Sequence, residues 1–426
     1  MSSPSKNVTT FTNITCPFCS LLCDDLSVKN HNGHLKLLDK TCQKAKNYFE
    51  AETVDLSPTI KGKKTTVDEA IKYTAQILRK SKQPLIAGLG TDVAGMGAVM
   101  SLADITGGIV DHMHSDGAIM NIKVIQDQGW VMTTMGEIKN RADLIVLVGT
   151  DGITNFPRFF ERVINNKYSL FKSNNKKRNI IFIGDKSGFK LNPQTRKLNP
   201  DFIDCRHDEL GDVISIIHSM IVGHEIDDSM TRIKLDPLKK LSDRMLQSKY
   251  GVIVWAPSEL VHSHAELTIQ AISELIKYLN RKTRFAGFSL AGNDGGVSAL
   301  NVCAWQSGYP IRVGFNKGYP EYDPYKYSTR NVLKTKEVDT LIWISSFGSD
   351  NTIPAANIPT IVLSSNGITH HKKPEVFIPV GTPGLDNTGQ LFRTDNIVAL
   401  PLKKLREYGR PSVSHILNSL TDILRT

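Results

Sequence analysis

Long apolar runs are missing from this sequence. No stretch of the 426 residues approaches the roughly 18 uncharged apolar residues that a spanning helix needs, so no membrane segment is expected. Met1 to Asn13 holds no apolar core of the kind a signal peptide carries, and cytoplasm is the expected location. Cysteine is sparse, with six in all and four of them within 27 residues of one another near the start. Without an export signal these make a poor disulfide framework for 47.3 kDa, whereas clustered thiols in a reducing compartment point to metal. A basic stripe is also lacking. The formal charge of +10 and pI of about 9.1 invite an anionic partner. Yet Lys and Arg come in short scattered groups, Lys61 to Lys64, Lys172 to Arg178 and Lys403 to Arg406, not interleaved with aromatics. That pattern reads as solvated surface and argues against nucleic acid. A dinucleotide fingerprint is incomplete too: Gly88-Leu-Gly90 follows a strand-like run, but Val93 stands where the third glycine is required.

What is present describes an ordinary α/β protein. Hydrophobic residues make up 40% and charged residues 22%, which supports buried cores and argues against disorder. The chain is too long for one core of about 100 to 200 residues. Leu26-Ser-Val-Lys and His34-Leu-Lys-Leu-Leu alternate around Asn30-His-Asn-Gly33 and predict a hairpin. Helices are expected after Cys42 and from Val67 to Lys80. From Pro84 onward, short apolar runs ending in Gly, Asp or Ser alternate with helix-length stretches, the pattern of parallel sheets with crossover helices. The clearest strands are Leu85 to Leu89, Leu144 to Val148, Ile180 to Ile183, Val252 to Trp255, Leu341 to Ile344, Ile361 to Leu363 and Val376 to Pro379. A cysteine-rich domain at 1–55 followed by two doubly wound domains, at 56–235 and 236–426, is the expected organisation.

The run Cys16-Pro-Phe-Cys19-Ser-Leu-Leu-Cys23-Asp-Asp, with Cys42 after the hairpin, is a candidate metal cradle. Thiolates are soft donors that suit tetrahedral zinc or a [4Fe-4S] cluster. Structural zinc usually pairs two C-x2-C units, whereas three close cysteines and one returning later are more cluster-like. Packed cysteines holding nothing are the remaining alternative. Cys205 and Cys303 stand alone and read as small buried apolar residues.

The cysteine run, Gly136-Glu-Ile-Lys-Asn-Arg-Ala-Asp-Leu-Ile-Val-Leu-Val-Gly149, Pro157-Arg158, Trp305-Gln-Ser-Gly-Tyr-Pro310, Gly318-Tyr-Pro320, Phe377-Ile-Pro-Val-Gly-Thr-Pro-Gly384 and Arg393-Thr-Asp-Asn396 together resemble the B subunit of formylmethanofuran dehydrogenase, in the molybdopterin oxidoreductase superfamily. The resemblance spans nearly the whole chain. It implies a small cluster-binding domain and two α/β domains, without the C-terminal β-barrel of larger relatives. Active members hold a molybdenum or tungsten pterin beside a [4Fe-4S] cluster, and a cysteine or selenocysteine ligates the metal. Gln126-Asp127 matches the family's Gln-Asp, which places Gly117 at that ligand and Ala118 at the adjacent histidine. Glycine has no donor atom, so the resemblance implies no catalytic residue here and no molybdenum or tungsten pterin. Asp111, His112, His114 and Asp116 lie near Gly117; they are chemically capable metal ligands, but their offset from the family position makes them read rather as polar loop residues. The pattern resembles the B subunit of the bacterial formyltransferase/hydrolase complex, which serves formaldehyde oxidation through tetrahydromethanopterin. The implied partners are the A, C and D subunits of that complex, A being an amidohydrolase and D a formyltransferase, with a methanofuran-type cofactor bound by the assembly. Gly287 and Asn293-Asp-Gly-Gly296 are candidate remnants of a phosphate cradle or plain turns. Arg158, Arg312 and Lys317 are candidates to face a polyglutamate tail.

Overall fold

A computed structural model describes the chain except for residues 1–7, 53, 167–169, 171–177, 228, 230, 349–352 and 367–372. The basic group at 172–177 therefore lies outside the described residues. The N-terminal part holds β1 (Val8–Ile14), β2 (Leu26–His31), β3 (His34–Leu37), α1 (Gln43–Phe49), β4 (Thr59–Ile60), β5 (Lys63–Lys64), α2 (Val67–Lys80), β6 (Pro84–Gly90), α3 (Val93–Thr106) and β7 (Ile109–His112). It continues with α4 (Ser115–Gln128), α5 (Met135–Arg141), β8 (Leu144–Val148), β9 (Asn179–Gly184), α6 (Pro193–Arg196), β10 (Asp201–Asp204), α7 (Leu210–Val222), α8 (Leu235–Gln247), β11 (Gly251–Trp255), α9 (Ala265–Leu279) and β12 (Phe285–Ser289). The last part holds α10 (Gly296–Ser307), β13 (Val313–Gly314), β14 (Glu321–Tyr322), α11 (Thr329–Lys334), β15 (Thr340–Ser345), β16 (Thr360–Ser364), β17 (Val376–Pro379), β18 (Gly389–Phe392), β19 (Ala399–Leu402) and α12 (Val413–Arg425).

Two compact units result, and they are interleaved in the chain. One comprises 1–115 with 292–426, and the other 116–291. This division cuts the chain differently from the sequential order 1–55, 56–235 and 236–426 expected above. The physical reason is pairing across a long insertion: β6 pairs in parallel with β15, residues 84–90 against 340–345.

The first unit is built on a nine-stranded sheet of order β14-β13-β7-β6-β15-β16-β17-β4-β5. Its centre is parallel, as the buried apolar runs predict. Both edges are antiparallel, through β13 and β14 on one side and β4 and β5 on the other, so the sheet is mixed rather than purely parallel. A three-stranded antiparallel sheet, β1-β2-β3, contains the expected hairpin. Its two-residue turn has Asn32 and Gly33 at φ +50° and +86°, the left-handed conformations such a hairpin needs. Helix α2 has the bounds expected for it because Thr66 and Glu69 form a reciprocal capping box and Ala70, Ile71, Thr74, Ala75 and Leu78 make one buried face.

The second unit has a five-stranded parallel sheet of order β10-β9-β8-β11-β12. Strands β8 and β11 are buried at every position. Helices α7, α8 and α9 contribute Ile214, Ile217, Leu241, Ile269 and Ile272 to its core. Among the described residues, no helix is long and apolar enough to cross a membrane.

Candidate functional site

The cysteine stretch is firmly packed. Cys16, Cys19 and Cys23 are buried, and Cys42 is half-buried. The Cys16 amide donates to the Cys23 carbonyl at 2.8 Å and closes the loop on itself. Phe18, between the first two cysteines, stacks on Tyr48 of α1 with ring centres 4.6 Å apart and meets Phe49 edge-on at 5.4 Å. The Ser20 amide donates to Asn293 Oδ1 at 3.0 Å, and the Thr394 amide donates to the Ser20 carbonyl at 2.8 Å. Cys42 caps α1, its Sγ accepting from the Ala45 amide at 3.4 Å.

The Cys16 thiol is pushed well above its usual range, first by burial and then by the charges of Cys19, Cys23 and Cys42. Cys19, Cys23 and Cys42 thus lie near enough to oppose the ionisation of Cys16. None of the four is in a disulfide, and among the described residues no group of three or more His, Cys, Asp and Glu side chains converges as a metal-holding set. As a donor set they suit a soft metal.

Gly117 sits in the first turn of α4, not in a loop. A Cβ built there would lie 3.3 Å from the Ser258 amide nitrogen and 3.5 Å from Pro257. Asn121, one turn further along, holds the helix in place. Its Oδ1 accepts from Trp255 Nε1 at 3.0 Å, and its Nδ2 donates to Ser289 Oγ at 2.9 Å. The position offers no donor atom, and a Cβ there would need the 257–258 backbone to give by a few tenths of an ångström, so the residue present does not fit a thiolate-ligated metal.

Asp111 and His112 lie in β7 and Asp116 in α4, so of the four polar residues only His114 occupies a turn. Asp111 forms a buried pair with Arg312, whose Nε is 3.2 Å from Asp111 Oδ1. Arg312 also donates to Ser115 Oγ at 2.9 Å and to the Pro324 carbonyl at 2.6 Å. Asp111 Oδ2 accepts from the amide and hydroxyl of Thr329, both at 2.7 Å. His112 Nδ1 accepts from the His114 amide at 3.0 Å, and its Nε2 faces the Asp294 carbonyl at 3.2 Å. Burial, helped by His114, pushes the His112 imidazole down to about 4, so it is neutral near pH 7. His114 Nε2 lies 2.8 Å from Asp294 Oδ2. Asp294 is the partner that sequence reasoning missed; the one signal was its place in Asn293-Asp-Gly-Gly296, where Asp294 and Gly295 take φ +53° and +76°.

In sheets of this kind ligands usually sit outside the carboxyl ends of the strands, where the chain's winding reverses. In the first unit that place lies between β6 and β15. The turn 293–296 packs into it, and a Cβ on Gly295 would come within 2.3 Å of the Thr91 carbonyl. Ser346 closes the same end, donating to the Gly90 carbonyl through its amide at 2.7 Å and its hydroxyl at 2.8 Å. In the second unit it lies between β8 and β11. There Asp151 takes up the amides of Ile153, Thr154 and Lys190 at 2.9, 2.8 and 3.1 Å.

Other candidates resolve into structure. Gly287 lies in β12 beneath Trp255, whose ring would be 2.8 Å from a Cβ there, so packing accounts for it. Asp143, in the run from Gly136 to Gly149 that carries the resemblance, accepts from the amides of Lys249 and Tyr250 at 2.9 and 3.0 Å. Cys205 and Cys303 are buried, and burial pushes both thiols up to about 12. Arg158 pairs with Glu161 at 2.6 Å, Arg312 is buried as described, and Lys317 pairs with Glu321 at 2.7 Å. Arg158 and Arg312 are buried and engaged within the chain, whereas Lys317 stays half exposed beside its surface partner Glu321.

No protein-family model matches the chain. It is 24% identical over 409 residues to the B subunit of the tungsten-containing formylmethanofuran dehydrogenase 2 of Methanocaldococcus jannaschii, covering 92% of this chain and 93% of that one. To its counterpart in Methanococcus maripaludis it is 24% identical over 411 residues, with 93% and 94% covered. To the B subunit of the formyltransferase/hydrolase complex Fhc of Methylorubrum extorquens it is 27% identical over 340 residues, 78% of this chain and 87% of that one. One polypeptide in the crystal structure of the formyltransferase/hydrolase complex of Methylorubrum extorquens with methylofuran shares the fold, with a TM-score of 0.73, 24% identity and coverage of 87% and 99%. The homologues of this chain are thus the B subunits of formylmethanofuran dehydrogenase and of the formyltransferase/hydrolase complex.

Proposed function

We infer that the chain is the B subunit of a formyltransferase/hydrolase complex in tetrahydromethanopterin-linked oxidation of formaldehyde to formate, serving a structural role without redox chemistry of its own. The observation that carries this reading is Gly117, a position with no donor atom and backbone packed 3.3 Å from where a Cβ would stand. The filled strand ends in both sheets support it. Its partners are the amidohydrolase (A), C and formyltransferase (D) subunits, with methylofuran or a related furan cofactor bound by the complex. A cytoplasmic location is part of the same reading. The test is purification of the tagged chain from its native cells, followed by identification of its companions and metal analysis. The reading expects an amidohydrolase and a formyltransferase, with neither molybdenum nor tungsten; either metal near one per chain overturns it.

Cys16, Cys19, Cys23 and Cys42 are the proposed ligands of a [4Fe-4S] cluster. A bound cluster would supply a four-thiolate cross-link between the loop at 16–23 and the start of α1. Paramagnetic resonance with iron and sulfide quantitation on anaerobically purified protein checks this. About four iron and four sulfide per chain are expected; zinc, or no metal at all, counts against it. A redox-active dehydrogenase subunit holding a molybdenum or tungsten pterin is the second reading, favoured by the retained cysteines. An independent iron-sulfur electron carrier is a third, which copurification with the other subunits would dispose of.

A further inference from the structure

The basic groups look scattered along the sequence, but the fold collects one of them. The unit formed by 1–115 and 292–426 holds 27 Lys and Arg against 22 Asp and Glu, a surplus of five. Residues 61–82 alone hold seven Lys and Arg against two acids, Asp68 and Glu69, again a surplus of five. The remainder of the unit, with 20 of each sign, is neutral.

This segment is continuous in the structure: the edge hairpin of β4 and β5 leads straight into α2. All seven cations are exposed. On α2, Lys72, Gln76, Arg79 and Lys80 follow helical spacing and share the solvent face, opposite the buried Ala70, Ile71, Ala75 and Leu78. Lys61 meets Glu375 at 3.5 Å, and Lys72 lies near Glu69. Lys63, Lys64, Lys80 and Lys82 have no ion pair among the described residues. Lysine on a sheet edge discourages strand addition, and cations suit the last turn of a helix, so single residues have local uses. Those uses do not account for a surplus of five within one segment of a unit that is otherwise neutral.

We propose that this face, β5 with the exposed side of α2, docks an acidic surface on another subunit of the complex. Charge complementarity selects such a partner, because clustered exposed cations steer and orient an anionic surface. The segment has a single aromatic residue, Tyr73, whose hydroxyl is held by Glu375 at 2.9 Å, so it lacks the stacking groups single-stranded nucleic acid would use.

The inference rests on the proposed function, and the experiment separates the two. Association of the full-length chain with the purified amidohydrolase, C and formyltransferase subunits is measured at about 0.05 M and about 0.3 M salt, a range over which surface charge is strongly screened. The expectation is about tenfold weaker association at the higher salt, and at least about a hundredfold loss at low salt for a variant carrying Lys64→Glu, Lys72→Glu and Lys80→Glu. Its salt dependence should flatten as well. A control variant with Lys282→Glu and Arg284→Glu, exposed cations of the other unit, should associate like the wild type. Circular dichroism confirms that each variant is folded. Wild-type affinity in the triple variant, or an equal loss in the control, overturns the docking face alone. Wild-type chain that associates with none of the three subunits at either salt sinks the proposed function, and the docking face with it. Binding of a nucleic-acid duplex through the same lysines, with the association between subunits untouched, also overturns it.

Discussion

Placing cysteine at position 117 tests whether the family's metal position has been closed by packing or has merely lost its ligand. In the first turn of α4, exchanging glycine for a residue with a side chain should favour the helix by up to about 1 kcal/mol. Against this, the new Cβ meets the Ser258 nitrogen at 3.3 Å and Pro257 at 3.5 Å, both backbone-anchored, and the sulfur extends further. The helix cannot easily retreat, since Asn121 is tied to Trp255 and Ser289. Overpacking of this kind costs about 1 to 3 kcal/mol. Gly117→Cys should therefore leave the protein about 1 to 2 kcal/mol less stable, and Gly117→Ala nearly neutral, because helix propensity offsets a smaller clash. Urea denaturation followed by fluorescence measures both, with an unchanged slope showing that only stability has moved. A Gly117→Cys protein as stable as the wild type, or more so, would refute the reasoning by showing that the loop at 257–258 yields freely.

Asp111→Asn should cost about 3 to 5 kcal/mol, because it removes the carboxylate that faces the buried Arg312 guanidinium; thermal unfolding checks this, and the paired replacement of Asp111 by Asn with Arg312 by Met should recover much of the loss. His112 makes stability depend on acidity. Its folded pKa of about 4 lies below the unfolded value near 6.5, so its contribution is complete above pH 6.5 and is lost as pH falls toward 4, amounting to about 3 kcal/mol. His112→Asn should flatten that part of the profile in denaturation at stepped pH. Asn121→Leu, which strips the Trp255 indole N-H of its buried acceptor, should cost about 1 to 3 kcal/mol by the same assay.

Much of the fold was legible locally. The strands Leu144 to Val148 and Val376 to Pro379 are short apolar runs buried at every position, and they emerge with the bounds expected. Helix α2 announces itself through Thr66, Glu69 and its apolar spacing. The interleaving of the two units was not legible, since it depends on β6 recognising β15 some 250 residues later, and nothing in Leu85 to Leu89 encodes which apolar strand will be its neighbour. The antiparallel edges depend on two-residue strands such as Val313–Gly314, too short for any periodicity. At the candidate site the spacing of Cys16, Cys19, Cys23 and Cys42 was plain. The meaning of Gly117 required the loop at 257–258, and the role of Asp294 required His114, 180 residues away. The surplus of cations on the face of β5 and α2 looked scattered because Lys61 to Lys64 and the residues of α2 join only when the helix turns.

The most direct measurement is elemental analysis of the complex purified through this chain, with molybdenum, tungsten and iron quantified per copy of the chain. The expected result is a complex containing an amidohydrolase and a formyltransferase, iron at about four per chain, and neither molybdenum nor tungsten. Molybdenum or tungsten at about one per chain would contradict a structural subunit without redox chemistry.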